Sequence, residues 1–181
     1  MIHGVPVMVR KLVLVDYNPD WPHLFKKEAK QLSKVFGEIL VNIHHIGSTS
    51  IPMTCAKPVI DILVEVTNIE SVDSRNPMLV ELGYVPRGEA GIEGRRFFRK
   101  GGDERTHHIH AHQVESPHIE RHLNFRDYLR AHPEVAREYC QLKKKLTKMY
   151  LDDIERYTEG KTEFITDIEQ RAREWKEQSM K

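Results

Sequence analysis

Two stretches of the chain carry residue types that can do chemistry. His45-Ile46-Gly47-Ser48-Thr49-Ser50 is a small-residue turn, and Asp61 follows it within the apolar run Ile60-Asp61-Ile62-Leu63-Val64-Glu65-Val66. Glycine lets a backbone approach a ligand closely, and exposed N–H groups beside serine and threonine hydroxyls can hold phosphate oxygens. A plain turn is the bland alternative. The apolar strand pattern on each side, with Asp61 at a fixed distance, favours more than that. An ionised carboxylate buried in a strand is costly unless it is paired or holds a metal. Asp61 is therefore expected to face a cleft, a cation or an arginine, with a structural ion pair as the sober alternative.

Histidines supply the second constellation. The chain has eleven, unevenly spread. Residues 107–114 alternate, so that His108, His110 and His112 share one strand face, with Ile109 and Ala111 on the other. If this strand neighbours the Asp61 strand, imidazoles meet a carboxylate. That donor set suits a transition metal better than magnesium. A solvated polar face, or a phosphate-binding cluster of protonated imidazoles, would give the same pattern. A basic set completes the candidates: Lys57 just before the acidic strand, then Arg95, Arg96, Arg99 and Arg105, which could clamp phosphate. Solvation is the ordinary fate of any one of these arginines. The Lys143-Lys144-Lys145 run reads as decoration of a helix face. Tyr157 reads as core and Lys161 as solvated, although both could close over a cleft.

These residues need elements to position them. Residues 13–15 read as a short strand. A helix is expected after Asn18-Pro19-Asp20, with Trp21, Leu24, Phe25, Leu32, Val35 and Phe36 at helical spacing and Gly37 as its stop. Residues 39–46 are rich in β-branched side chains and predict a strand leading into the turn. In residues 60–66 the even positions are uniformly apolar and should pack on helices. Asp61, Leu63 and Glu65 share the other face, which should line a cleft. Residues 77–83 predict a short helix, and residues 84–85, 96–99 and 107–114 three more strands. Beyond Pro117 the periodicity turns helical over residues 119–131, 133–150 and 162–175. Val135, Tyr139, Leu142, Leu146 and Met149 form one stripe. Phe164, Ile165, Ile168, Ala172 and Trp175 form another. Strands first and helices later predict an α+β fold, with residues 1–116 as the core and residues 117–181 as a helical region packed on it in a single unit.

Composition sets the outer bounds. With 181 residues, 30% charged and 39% hydrophobic, the chain can bury a sizeable core. A net charge of +1 gives no whole-molecule attraction to nucleic acid or membrane. Cys55 and Cys140 have no metal-ligand spacing and read as free thiols in a reducing cytosol. Residues 1–10 lack a basic region followed by a continuous apolar run, so no signal peptide is expected, and no stretch reaches transmembrane length. The expected location is cytoplasmic.

The Gly-Ser turn, the spacer and the acidic strand together resemble the signature of the polymerase-β-type nucleotidyltransferase superfamily. More specifically, five stretches resemble the GrpB family, described as nucleotidyltransferase-like. They are Val15-Asp16-Tyr17-Asn18-Pro19-Asp20-Trp21, the block from Gly47 to Asp61 with its Ala56-Lys57-Pro58, residues 106–110, Phe125-Arg126-Asp127-Tyr128-Leu129-Arg130-Ala131-His132-Pro133, and Tyr157-Thr158 with Lys161 and Phe164. The resemblance spans residues 12–175. It implies a nucleotidyltransferase-like mixed sheet flanked by helices, with a C-terminal helical bundle. It also implies a nucleotide or other phosphate ligand held at Gly47 and Ser48, and a divalent metal, Mg or Mn, on Asp61; beside them Thr49, Lys57 and one or more of Arg96, Arg99 and Arg105 are the candidate phosphate contacts from the residues themselves. In the superfamily two carboxylates two residues apart on one strand hold the metal, and a third comes from a later strand. Here Gly47, Ser48 and Asp61 match, but Leu63 stands at the second position, and leucine binds no hard cation. Glu65 shares the strand face about 6.6 Å beyond Leu63. The later strand offers His108 and His110, so a transition metal is the alternative ligand of this site. Asp61 and Glu65 are the candidate catalytic carboxylates; Asp61, His108 and His110 are the candidate metal ligands. A non-catalytic binding module and a metal-dependent phosphohydrolase are the competing functions. His108 to Val114 also resembles the alternating histidines of histidine-triad nucleotide hydrolases. That match covers seven residues, and strand periodicity accounts for it.

Overall fold

The computed structural model describes residues 12–181. The expectation for residues 1–10 lies outside the described residues. Five strands form one mixed sheet in the order β1-β2-β5-β4-β3: β1 (Leu40–Ile46), β2 (Ile60–Val66), β3 (Tyr84–Pro86), β4 (Arg95–Lys100) and β5 (His107–Gln113). β2 runs antiparallel to β1 and parallel to β5. β4 lies antiparallel to β5, and β3 to β4. A parallel pair needs a long crossover. Residues 67–106 supply it, and within them lie α2 (Asn76–Glu81), β3 and β4.

The alternation of β2 decides the two layers. Ile60, Ile62, Val64 and Val66 join Ile109, Ala111 and Phe98 in the main apolar core, together with Trp21, Leu32, Val35 and Phe36 of α1 (Trp21–Phe36). α1 follows Asp20, tolerates Pro22 in its first turn, and stops at Gly37, whose φ is +53°. Glu28 is buried on this layer. It accepts hydrogen bonds from the Tyr84 hydroxyl at 2.8 Å and Lys100 Nζ at 2.7 Å, the pairing that a buried carboxylate requires.

The other face of the sheet is covered by the C-terminal helices α3 (Pro117–Ala131), α4 (Pro133–Met149), α5 (Ile154–Glu159) and α6 (Thr162–Ser179). Ile51, Tyr128, Leu129, Val135, Tyr139, Ile168 and Ala172 form their shared apolar cluster. A smaller cluster of Ile46, Leu63 and Ile119 seats α3 on β1 and β2. Among the described residues no helix is long and apolar enough to cross a membrane.

Four local expectations change. Residues 13–15 form only a single bridge, Val15 to Ala56, because no partner strand continues it. Residues 154–159 form a helix that their polar composition does not announce. Met149 is 57% exposed, and Lys143 takes a buried position on the α4 stripe instead. Cys55 and Cys140 are not free thiols. They are joined in a disulfide with Cα atoms 5.1 Å apart, across a sequence separation of 85, which no local spacing rule detects.

Candidate active site

The site forms where β1 ends and β2 begins, with α4 packed against the segment between them. Gly47 leaves β1 with φ +70° and ψ −176°, a conformation open to glycine. A Cβ on Gly47 would stand 2.6 Å from Asp61 Oδ2, so the missing side chain makes room for the carboxylate. Residues Ser48–Ser50 then turn tightly, with Ser50 N and Ser50 Oγ donating to the Gly47 carbonyl at 3.0 and 2.6 Å.

Asp61 lies directly opposite His108 in the parallel β2–β5 register. His108 Nδ1 is 3.4 Å and His110 Nε2 3.2 Å from Asp61 Oδ1. One ligand atom from each of Asp61, His108 and His110 lies within 4.8 Å of the others. Ligands about 2.0–2.2 Å from a tetrahedral metal are separated by roughly 3.4 Å. The donor set and its spacing fit a zinc- or manganese-type cation, whereas two imidazoles disfavour magnesium. Burial opposes ionisation of Asp61, but the bonds from His108 and His110 outweigh it and hold the carboxyl well below the usual carboxylate range.

Beside this cluster lies a cavity of about 220 Å³ lined by Ser48, Thr49, Lys57, Asp61, His108 and, from the C-terminal helices, Tyr139, Lys143, Tyr157 and Lys161. Three ammonium groups meet here. Lys143 Nζ donates to Ser48 Oγ at 2.9 Å and to the Cys55 carbonyl, and sits 4.2 Å from the Tyr139 ring centroid. Lys57 and Lys161 flank the Tyr157 ring at 4.7 and 4.5 Å. Burial, then the charges of Lys161 and Lys57, push the Lys143 amine down to about 7. Burial, then Lys57, push Lys161 down to about 8. Cations crowded in this way make an anion the complementary ligand.

The structure thus brings Gly47, Ser48, Thr49, Lys57, Asp61, His108 and His110 together. Thr49 is buried, with its hydroxyl 2.8 Å from His45 Nε2. Other expected residues lie elsewhere. Glu65 does not reach the cavity: it faces His44 Nε2 at 2.5 Å, four positions along β2 from Asp61. Arg96 pairs in register with Ala111, so it projects from the opposite face, where it grips Asp73 at 2.7 and 3.1 Å. Arg99 sits opposite His108 but packs over the Phe97 ring at 5.3 Å and does not line the cavity. Arg105 binds the Gly102 carbonyl at 2.8 Å within the loop before β5. Arg95 is buried against the Glu89 and Ala90 carbonyls.

Lys143 and Tyr139 are cavity residues that reading the sequence missed, and Lys161 and Tyr157, expected by default to be solvated and core, line the cavity as well. The signal was present: Lys143 stands four residues after Tyr139 and three before Leu146, on the buried stripe of α4. A lysine in register with buried apolar positions needs a reason to be there.

A GrpB protein family model matches residues 11–171. This chain belongs to the GrpB family. The UPF0157 protein YqkA of Bacillus subtilis is 50% identical over 167 residues, covering 92% of this chain. The chain spans about half, 49%, of that relative's length. The crystal structure of GrpB from Enterococcus faecalis superposes with a TM-score of 0.86 at 43% identity, covering 88% of this chain and 96% of that one. Cid1 in complex with its short product ApU shares the fold alone, with a TM-score of 0.51 at 9% identity over 80% of this chain and 48% of Cid1. The GrpB fold is thus α+β and nucleotidyltransferase-like, with its mixed sheet covered by C-terminal helices.

Proposed function

We propose that this GrpB protein binds a phosphorylated small molecule, foremost a nucleotide, with its phosphates in the lysine cavity and a divalent transition metal on Asp61, His108 and His110. One observation carries the reading: Ser48, Lys57, Lys143 and Lys161 converge on the cavity that Asp61 and His108 also line. The cavity, at about 220 Å³, is smaller than the roughly 300–1,000 Å³ pockets that enclose whole ligands. It suits phosphate groups, with the rest of the molecule outside. A metal there would act as a Lewis acid on a phosphoryl oxygen. The lysines would neutralise the remaining phosphate charge, Ser48 would orient a phosphate oxygen, and Tyr157 would hold Lys57 and Lys161 in place.

Between transfer and hydrolysis, a specific observation favours phosphoester hydrolysis or plain binding. Leu63 stands at the second carboxylate position and is fully buried against Ile46 and Ile119, so the paired-carboxylate, two-metal arrangement has no place to form.

Calorimetric titration with ATP, GTP, CTP and UTP, each with manganese or zinc, tests the reading. Binding of at least one nucleotide is expected. Asp61→Asn should weaken metal binding by about tenfold or more, with an unchanged circular dichroism spectrum. A folded protein that binds no nucleotide and no metal would refute it.

A further inference from the structure

A second cavity, of about 600 Å³, opens on the other side of the Ser48–Ser50 turn. Its floor and walls come from α1, β1, the turn and α3. Tyr17, Pro22, Phe25, Ile43 and Pro52 provide apolar and aromatic surface, and Lys26, Arg126 and Arg130 provide charge. Among the described residues its lining includes no Asp or Glu, although Asp127 pairs with Arg126. Its volume lies within the roughly 300–1,000 Å³ range of pockets that enclose a small ligand, and a largely apolar wall with a few convergent polar groups is the usual make-up of such a pocket.

The charges are arranged at a cost. Arg126 and Arg130 stand four residues apart on α3, where like charges repel. Arg126 Nε is satisfied by Asp127 at 2.8 Å and its Nη1 by the His45 carbonyl at 3.2 Å. Arg130 binds the Ser50 carbonyl through Nε at 2.8 Å. No ion pair within 4.0 Å joins Arg130 or Lys26 to a carboxylate among the described residues. Burial of part of the side chain, then the Arg126 charge, holds Arg130 below the usual arginine range. The neighbouring imidazole adds no charge: burial, then Arg130, push His45 down to about 4. Phe25 stacks on His45 at 4.8 Å with planes 9° apart, which fixes a flat wall next to the guanidiniums.

We propose that this cavity is a second ligand site, for a small aromatic oxyanion. Its ring packs against Phe25 and Tyr17, and its carboxylate or phosphate is clamped by Arg126 and Arg130 with Lys26 alongside. The guanidinium fork matches either oxyanion. The site goes beyond the phosphate-and-metal reading and does not rest on it. It also touches that first site: Arg130 holds the Ser50 carbonyl and His45 meets the Thr49 hydroxyl, while Ser48 and Thr49 line the Asp61 cavity.

Titration of the full chain with phenyl phosphate, benzoate and inorganic phosphate, followed by backbone amide shifts and calorimetry, tests the proposal. Saturable binding of an aryl probe is expected, tighter than inorganic phosphate, with shifts at Phe25, His45 and Arg130. Whether phenyl phosphate or benzoate binds more tightly assigns the oxyanion. Arg130→Gln should weaken binding about tenfold or more, and Asp61→Asn should leave it unchanged. If Arg130→Gln does not fold, Lys26→Gln at an exposed position replaces it, with weakening expected again. No saturable aryl binding overturns the proposal, as does binding lost in Asp61→Asn but kept in Arg130→Gln and Lys26→Gln. Phenyl phosphate also fits the lysine cavity, so shifts at Phe25 and Arg130 rather than at Lys57 and Lys161 assign a probe to this site, and benzoate, which carries no phosphate, keeps failure of either site distinguishable from failure of the other.

Discussion

Gly47 and Asp61 act as one unit at the scale of single residues. The carboxylate occupies the space that any side chain at position 47 would need. Gly47→Ala is expected to displace Asp61, to cost about 1–3 kcal/mol from the positive φ and the collision, and to weaken metal binding. Urea melts and a zinc titration measure the two effects, and an unchanged metal affinity would break the link between the turn and the carboxylate. The lysines give the pH dependence. Lys143 and Lys161 keep their protons only below about 7 and about 8. Binding of pyrophosphate should therefore weaken as pH rises from about 6 to about 9, since each amine loses its charge in that window. A bound anion favours the protonated amines and moves the window upward. Affinity that stays flat across the range at fixed ionic strength would place the anion elsewhere.

For the elements, β2 is the decisive strand. Its even positions build the main core, and its odd positions divide three ways: Asp61 opens on the cavity, Leu63 is fully buried under α3, and Glu65 faces His44. The expectation that all three odd residues line one cleft fails because α3 covers the middle of that face. Leu63→Asp would restore the spacing of a carboxylate pair in sequence only. It is expected to destabilise the fold by several kcal/mol through an unpaired buried charge, and Leu63→Ala by about 2–5 kcal/mol. Chemical denaturation measures both. A Leu63→Asp protein as stable as the parent and with stronger metal binding would show that the site is a lapsed carboxylate pair rather than a sealed one.

Over the whole molecule, buried titrating groups make stability depend on pH. Burial, before any neighbouring charge, pushes His45 and His112 down to about 4 and His122 down to about 3. Between those values and the ordinary 6.5 the unfolded chain binds protons that the folded chain refuses. Stability should fall as pH drops from about 6.5 toward 4, by up to about 1.4 kcal/mol per pH unit for each imidazole that the fold keeps neutral. Below that, Asp61 and Glu28, both held under the usual carboxylate range, add a second loss, since each stabilises only while ionised. Thermal melts from pH 7.5 to 4 should show Tm falling as pH drops below about 6.5. A constant Tm would mean that these imidazoles reach solvent.

The sequence by itself determined most of the elements and half of the candidate site. Alternation in residues 60–66 and 107–113 specified both central strands, because side chains on a strand alternate between faces whatever the fold. It likewise marked Gly47, Ser48, Asp61, His108 and His110. It could not specify which strands are neighbours, so it could not tell that Asp61 and His108 stand in register while Arg96 faces away. Nor could it place Lys143, which reads as surface charge until α4 is laid across the Ser48 turn, or join Cys55 to Cys140 across 85 residues. Those outcomes depend on long-range packing, where a charge becomes costly or useful only once its surroundings exclude water.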